Sequence, residues 1–292
     1  MAVFNLGSIN ADLFYDVPHL LAPGETLAST AHRKGLGGKG ANMSVAIARA
    51  AARAVHIGSV GQDGRWAVDR LLEYGVDTRN IAMSDEPTGH AVIMVDAQGE
   101  NAILLYPGAN HAITETHVGS ALAEASDSDT FVFQNETSLQ VEAATIASSK
   151  GMQIVYAAAP FSAEAVKPVL PLLDILVMNA VEAEQLSHAL STDLNDLPVR
   201  DVVVTLGADG CRWINTDRSS DQTFPAIPVT PVDTTGAGDT FTGFLVAGLD
   251  RGLPMEEAIL LGQQAGAIMV TRQGTADVIP DLKDVEDFRL GQ

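Results

Sequence analysis

Short apolar runs alternate with stretches of helix length along most of this chain, and that alternation limits the fold more than any other feature. Val3–Leu6 is an apolar run stopped by Gly7. The Ala-rich stretch Ala41–Ala54 predicts a helix and Val55–Val60 a strand closed by Gly61. Arg65–Tyr74 is amphipathic, and Gly75 ends it as glycine commonly ends a helix. The rhythm recurs with strands at Thr130–Phe133, Gln153–Ala157, Ile175–Met178 and Val202–Leu206. Helices are expected at Leu139–Ser149, Ala163–Leu173 (interrupted by Pro168 and Pro171), Phe241–Leu249 and Met255–Val270. Strands separated by whole helices cannot pair through a tight hairpin, so the connections are crossovers and the strands run parallel. The expected fold is α/β: a doubly wound, mainly parallel sheet flanked by helices.

Two segments break the rhythm. Asp12–His32 carries Pro18, Pro23 and Gly24 without helical periodicity, and His90–Tyr106 reads as two strands joined by Ala97-Gln98-Gly99-Glu100. They predict a small second sheet, over about 12–34 and 88–106, acting as a lid or partner surface; the plainer alternative is a pair of solvated hairpins. No repeat or linker divides the chain, so a single domain over 1–292 is expected.

Composition narrows the partners. The 292 residues are 46% hydrophobic, enough for a large core, and Lys+Arg 17 against Asp+Glu 37 leaves a net charge of −20. Without a basic patch, neither nucleic acid nor an anionic membrane is an expected partner. An anionic ligand would have to be held by backbone N–H groups, a helix dipole, a divalent cation and very few bases. Cys211 is the only cysteine, so no intrachain disulfide and no Cys-based metal site is possible. The start of the chain has no basic segment followed by an apolar run, and no stretch approaches a membrane span, so a cytoplasmic location is expected.

Two glycine loops carry the chemistry. The first reads Gly35-Leu36-Gly37-Gly38-Lys39-Gly40-Ala41-Asn42 and opens a helix. It contains a formal G-x-G-x-x-G, with Asp63 further on, which leaves an NAD(P)-dependent oxidoreductase open. Against that, Ser29–Lys34 is polar where a dinucleotide fold has a buried strand. Lys39 and Asn42 suit a hydroxyl-rich ligand, and a mere flexible turn is the third option. The second loop, Asp233-Thr234-Thr235-Gly236-Ala237-Gly238-Asp239, precedes an apolar helix. Free N–H groups at such a helix start attract an anion, and Asp239 beside them could take a proton from a hydroxyl under attack. An acid favoured only by the helix dipole is the alternative. Asn179 and Glu182 end a strand where open α/β sheets bind ligands and could serve a hydrated Mg²⁺; Thr205, Gly207 and Gly210 end another and could line a nucleotide.

Taken together, Gly7-Ser8-Ile9-Asn10-Ala11-Asp12, Gly37 to Asn42, the Asn179/Glu182 pair, Thr205-Leu206-Gly207 and Asp233 to Asp239 resemble the ribokinase branch of the ribokinase/phosphofructokinase-B sugar kinase family over essentially the whole chain. The resemblance implies that Asn10, Asp12, Gly38, Lys39, Asn42 and Glu136 hold sugar hydroxyls, that Asp239 is the base and that Gly236, Ala237 and Gly238 form the anion hole. It implies Mg²⁺ at Asn179 and Glu182, and ATP at Asn179, Thr205, Gly207, Gly210 and Gln263. It also implies a monovalent cation such as K⁺ at Asp233, Thr235 and Gly274, and a homodimer through the lid. The activity it implies is ATP-dependent phosphorylation of a primary hydroxyl of a pentose, ribose first, with fructose, deoxyribose or a nucleoside as alternatives; a sugar-binding protein without transfer activity is a further class. Four positions depart from the pattern: Ala51 replaces a helix-ending glycine, Gln263 an Asn or His near adenine, and Phe244 and Val278 small or hydroxylated residues.

Overall fold

The computed structural model describes residues 1–290 and divides the strands between two sheets. The chain opens with β1 (Val3–Leu6), β2 (Asn10–Asp16), β3 (Ala31–Gly37), α1 (Lys39–Arg49) and β4 (Ala54–Gly61). Next come α2 (Arg65–Glu73), β5 (Asp77–Ser84), β6 (Gly89–Val95), β7 (Asn101–Tyr106), α3 (Glu115–Ala123) and β8 (Thr130–Gln134). The middle holds α4 (Gln140–Ser149), β9 (Gln153–Ala157), α5 (Ala163–Val169), β10 (Ile175–Asn179), α6 (Ala180–Leu190) and β11 (Asp201–Thr205). The last part holds β12 (Cys211–Asn215), β13 (Ser220–Phe224), α7 (Ala237–Asp250), α8 (Met255–Met269) and α9 (Leu282–Leu290).

The main sheet has nine strands in the order β13-β12-β11-β10-β9-β8-β1-β4-β5. Its strands pair parallel from β5 to β11, and β12 and β13 add an antiparallel edge. Side chains alternate across a strand, so the central strands feed two separate cores. Val3, Val132, Val155, Val177 and Val203 face a cluster built by α1, α2, α7, α8 and α9. Their neighbours Phe4, Phe131, Phe133, Tyr156, Leu176 and Val204 face a second cluster built by α3, α4, α5 and α6. The doubly wound expectation is met. Beside it stands a four-stranded sheet in the order β3-β2-β6-β7, formed by the two segments that broke the helical rhythm. Asp63 accepts from Thr88 N (3.0 Å) and Thr88 Oγ1 (2.8 Å) at the root of β6. The Lys34 ammonium of β3 lies 4.1 Å from the Trp66 ring centre of α2, a cation–π contact between small sheet and body.

Several boundaries differ from the sequence expectation for identifiable reasons. α1 begins at Lys39 and stops at Arg49, short of Ala54, because Ala51 turns into the left-handed region with φ +62°. α5 stops at Val169, and Leu170–Leu172, with Pro171 inside it, continues as a single 3₁₀ turn. α7 begins at Ala237, four residues before Phe241, because its first turn is the polar loop itself. β5 and β13 are half exposed and carry no apolar run, so periodicity does not reveal them.

Ala51 is exposed and stands where glycine normally relieves the Cβ strain of a left-handed residue after a helix. Ala51→Gly should therefore raise stability by about 0.5–1 kcal/mol, since the relief of about 1–2 kcal/mol of left-handed strain is offset in part by the entropy of the freer unfolded chain. Urea unfolding measures it; an unchanged or lower midpoint would show that Ala51 is not strained.

Candidate active site

Chain direction along the sheet reverses at β1, which sits between β4 and β8. A crevice opens outside the carboxyl ends of the strands at such a switch point. The loops leaving β1 and β8 face each other across it. Ser8 Oγ donates to Glu136 Oε2, which also accepts from Lys39 N at 3.1 Å. The start of α1 is pressed into the same place: Ala41 N donates to Ser8 O (2.9 Å), and a Cβ on Gly7 or Gly40 would collide with the other's backbone. From below, Asn5 Nδ2 donates to Gly40 O and Ser44 Oγ, both at 2.8 Å, and Ser44 Oγ meets His56 Nδ1 at 2.8 Å. Burial holds the His56 imidazole neutral, its pKa down to about 4, so it serves as a structural residue.

Asp12 on β2 and Gly37 on β3 are near neighbours, and a Cβ on Gly37 would strike the Asp12 carboxylate. Asn10 is oriented by Asn110, whose Nδ2 donates to Asn10 Oδ1 (2.7 Å) while its Oδ1 accepts from Ile9 N (2.9 Å). Ser8 stands inside the Gly7–Asp12 motif without a role of its own, and Asn110 belongs to none of the motifs. Asn110 follows Pro107-Gly108-Ala109 at the end of a hairpin, and a turn signal is all that this segment carries.

The second loop reaches the same crevice from the other side. Gly236 caps α7 with φ +74°, and Ala237 N donates to Thr234 O at 3.3 Å. The N–H groups of Gly236, Gly238 and Asp239 have no protein partner among the described residues. Of the three residues expected to form the anion hole, Gly236 and Gly238 thus present free donors, whereas the Ala237 N–H is engaged. Asp239, 8% exposed, accepts from Asn42 Nδ2 at 2.9 Å, so the two loops meet at the one carboxylate. Asn42 Oδ1 is buried and unpartnered among the described residues.

A cavity of about 240 Å³ opens beside Asp239, lined among others by Lys39, Asn179, Glu182, Thr205, Gly236 and Gly238. Asn179 and Glu182 form a capping box on α6: Asn179 Oδ1 accepts from Glu182 N (2.9 Å) and Glu182 Oε2 from Asn179 N (2.8 Å). One carboxylate oxygen remains free, and no group of three His, Cys, Asp or Glu among the described residues could cage a metal. Those donors fit a Mg²⁺ that keeps its waters and is held mostly by phosphates. Gly207 and Gly210 lie outside the cavity wall, in the turn between β11 and β12. Gln263 Nε2 donates to the Phe224 and Pro225 carbonyls (both 3.3 Å), while its Oε1 is buried and unpartnered among the described residues. Phe244 is fully buried in the core and does not line the cavity. Around the expected monovalent site, Asp233 already accepts from Thr235 N (2.9 Å) and Gly274 N (3.2 Å). The Val278 isopropyl packs toward Gly274.

The strand leading into the first glycine loop is β3 of the small sheet, not a buried strand of the parallel sheet. The loop therefore does not sit at a βαβ crossover, and the dinucleotide reading falls.

The acids are close enough to feel one another. Burial, with Glu136 and Asp239 nearby, raises the Asp12 pKa to about 7, opposed in part by Arg33. Burial also raises Asp239 to about 6, held down by Lys39 and the Asn42 hydrogen bond. The Asp239 carboxylate in turn raises the Lys39 ammonium above its ordinary value. Carboxyls shifted in this way in a crevice mark a functional site.

Comparison with known proteins defines the class first. The chain matches the pfkB family carbohydrate kinase description over residues 2–282. It is 37% identical to a ribokinase of Haemophilus influenzae, covering 97% of this chain and 96% of that one, and 35% identical to a ribokinase of Staphylococcus aureus, covering 96% and 97%. A structure of Arabidopsis thaliana ribokinase complexed with ribose and ATP superimposes with a TM-score of 0.85 at 28% identity, covering 99% of both chains. The protein is a carbohydrate kinase, a phosphotransferase with an alcohol group as acceptor. It belongs to the pfkB family.

A raised carboxyl pKa means that the folded state holds its proton more tightly than the unfolded chain does. The stability from Asp12 is fully present below about 3.8 and is lost as pH rises through about 7. Asp12→Asn, which mimics the protonated carboxyl, should match the wild type near pH 4 and exceed it by ~1–4 kcal/mol at pH 8. Denaturant unfolding at both pH values tests this; a difference independent of pH would show that Asp12 ionises freely.

Proposed function

We propose that this kinase transfers the γ-phosphoryl group of ATP to a primary hydroxyl of a pentose, with ribose as the preferred acceptor. The observation that carries the reading is the meeting of Asp239, the free N–H groups of Gly236 and Gly238, and Asn42 from the first glycine loop at one point. The bacterial relatives at 37% and 35% identity are both ribokinases, which supports ribose.

In this reading Asn10, Asp12, Gly38, Lys39, Asn42 and Glu136 hold the sugar, and its free hydroxyl points at Asp239. The Asp239 carboxylate takes the hydroxyl proton as the new O–P bond forms and the bond to ADP breaks. Gly236 and Gly238 hold the transferring phosphoryl oxygens with their N–H groups, aided by the α7 dipole, and cost no reorganisation during transfer. Lys39 supplies the one positive side chain between base and phosphate. Thr205, with Gly207, Gly210 and Gln263 further out, accommodates the nucleotide. Asn179 and Glu182 would hold a hydrated Mg²⁺, which would supply positive charge against the phosphates.

We also propose that the small sheet is the lid of this single domain and joins two copies. Ile103, Leu104 and Leu105 of its edge strand β7 are 61%, 70% and 48% exposed, an apolar run on an unpaired edge that a second lid would cover. Light scattering should return twice the 30.6 kDa chain mass; a monomer at micromolar concentration would refute the dimer.

Coupled ADP release over a panel of ribose, deoxyribose, fructose and nucleosides tests the substrate. Ribose should give the highest kcat/KM, and another acceptor ahead of it would reassign the enzyme. Asp239→Asn should bind sugar within a few fold of wild type and lose ~10²–10⁴ in kcat, the usual contribution of a positioned base. Wild-type kcat/KM should fall on the acid side around pH 6, as Asp239 takes up its proton. Near-normal turnover of the variant would remove Asp239 from the role of base.

A further inference from the structure

Thr275 lies between α8 and α9, outside the cavity wall, and nothing in the proposed reaction uses it. Its side chain is nevertheless 7% exposed, and its Oγ1 donates to the Leu36 carbonyl at 2.9 Å in a buried hydrogen bond. Leu36 is on β3, two residues before Gly38, so the bond grips the sugar loop at its entry. One residue before Thr275, Gly274 N donates to Asp233 Oδ2 (3.2 Å), and the other oxygen of Asp233 accepts from Thr235 N (2.9 Å). Thr235 leads directly into Gly236. On the far side the ring is closed by Asn42 Nδ2 on Asp239 (2.9 Å). Leu36, Asn42, Asp239, Gly236, Asp233, Gly274 and Thr275 thus form one closed circuit of chain and hydrogen bonds around the reacting point.

The rest of the segment is anchored independently. Arg49 of α1 donates to the carbonyls of Ile279 and Asp277, and Arg272 to Val278 O (3.2 Å) and Asp284 (3.0 Å). Ala276 and Ile279 pack in the same core as Leu36. The Thr275 hydroxyl is therefore not needed to hold the segment in place; what it adds is a directional link from that segment to the sugar loop.

We propose that Thr275 is a positioning residue for phosphoryl transfer: its hydroxyl, through Leu36 on one side and Gly274–Asp233 on the other, ties the sugar loop to the loop that builds the anion hole. The inference rests on the kinase reading for its effect on rate, whereas the tie itself is a property of the fold. Misplacing bound reactants by a fraction of an ångström lowers turnover more than binding, because the correct geometry is realised only in the transition state.

The test compares Thr275→Val, which keeps the volume and loses the hydroxyl, with Thr275→Ser, which keeps the hydroxyl. The tie predicts that Thr275→Val loses about tenfold in kcat, the size of one buried hydrogen bond, with sugar and ATP KM within about threefold, and that Thr275→Ser stays within about twofold of wild type. Amide hydrogen exchange, read without turnover, should rise in Thr275→Val at residues 36–42 and 233–239 together. A Thr275→Val protein with lower melting temperature but wild-type kcat, a Ser variant as impaired as Val, or exchange raised only at 274–279 would each overturn the proposal. Should Thr275→Val not fold, Thr275→Ser with wild-type exchange and kcat, set against Thr275→Ala with both altered, supports the tie, and Ser and Ala variants that behave alike overturn it. A wild type that phosphorylates no acceptor refutes the kinase reading instead, and the exchange comparison still decides whether the tie exists.

Discussion

A carboxylate that is to deprotonate a hydroxyl must stand next to the phosphate that the hydroxyl attacks, and two anions so placed repel. In a chain of net charge −20 the surrounding field makes this worse. The resolution visible here is short-range. The free N–H groups of Gly236 and Gly238 and the aligned peptides of α7 present positive potential where side chains cannot, and Lys39 places a single ammonium in the same cavity. Asn42 donates to Asp239 and so favours its charged form against the burial that raises its pKa. The arrangement sets Asp239 near 6, low enough to be ionised at neutral pH and high enough to accept a proton readily.

Everything else in the crevice serves to bring that point together. The order in which strands are added reverses at β1, which gives the loops after β1 and β8 a common space. Glycine at 7 and 40 lets two backbones touch, so the start of α1 comes down onto the end of β1 and carries Lys39 and Asn42 with it. Under this contact lies a buried polar chain through Asn5, Ser44 and the neutral His56, in which each link has a partner. Such a network is costly to break and holds a unique geometry. Above it stand Asp12 and Glu136, whose mutual repulsion adds to burial in raising the Asp12 pKa and is opposed only in part by Arg33.

Where a residue's role was carried by local pattern, it was legible in the sequence. β9 runs over Gln153–Ala157 as its apolar run indicates, and the turn at Ala97–Glu100 joins β6 to β7. The two glycine loops announced themselves because glycine followed by an apolar helix is a local signal. Contacts between distant segments left no such trace. Asn110 orients Asn10 across 100 residues, and Thr275 reaches Leu36 across 239. Half-exposed β5 and β13 lack the alternation that marks a strand, and they became strands because the sheet edge offered them partners. Asn179 and Glu182 show a third case: the residue types were picked out for a metal, while a capping box uses half of their donors on α6 itself.

The central claim is that the buried carboxylate at the head of α7 directs a primary hydroxyl onto a phosphate held by backbone amides. Proton-coupled ³¹P NMR of a reaction with ATP, Mg²⁺ and ribose reads that claim in one spectrum. A phosphomonoester on a CH₂OH group appears as a triplet, because its phosphorus couples about equally to the two methylene protons. The account predicts this triplet growing in step with the resonances of ADP. A doublet would place the phosphate on a ring or anomeric hydroxyl, and inorganic phosphate alone would mean that water, not the sugar, is presented to Asp239; either result would contradict the account.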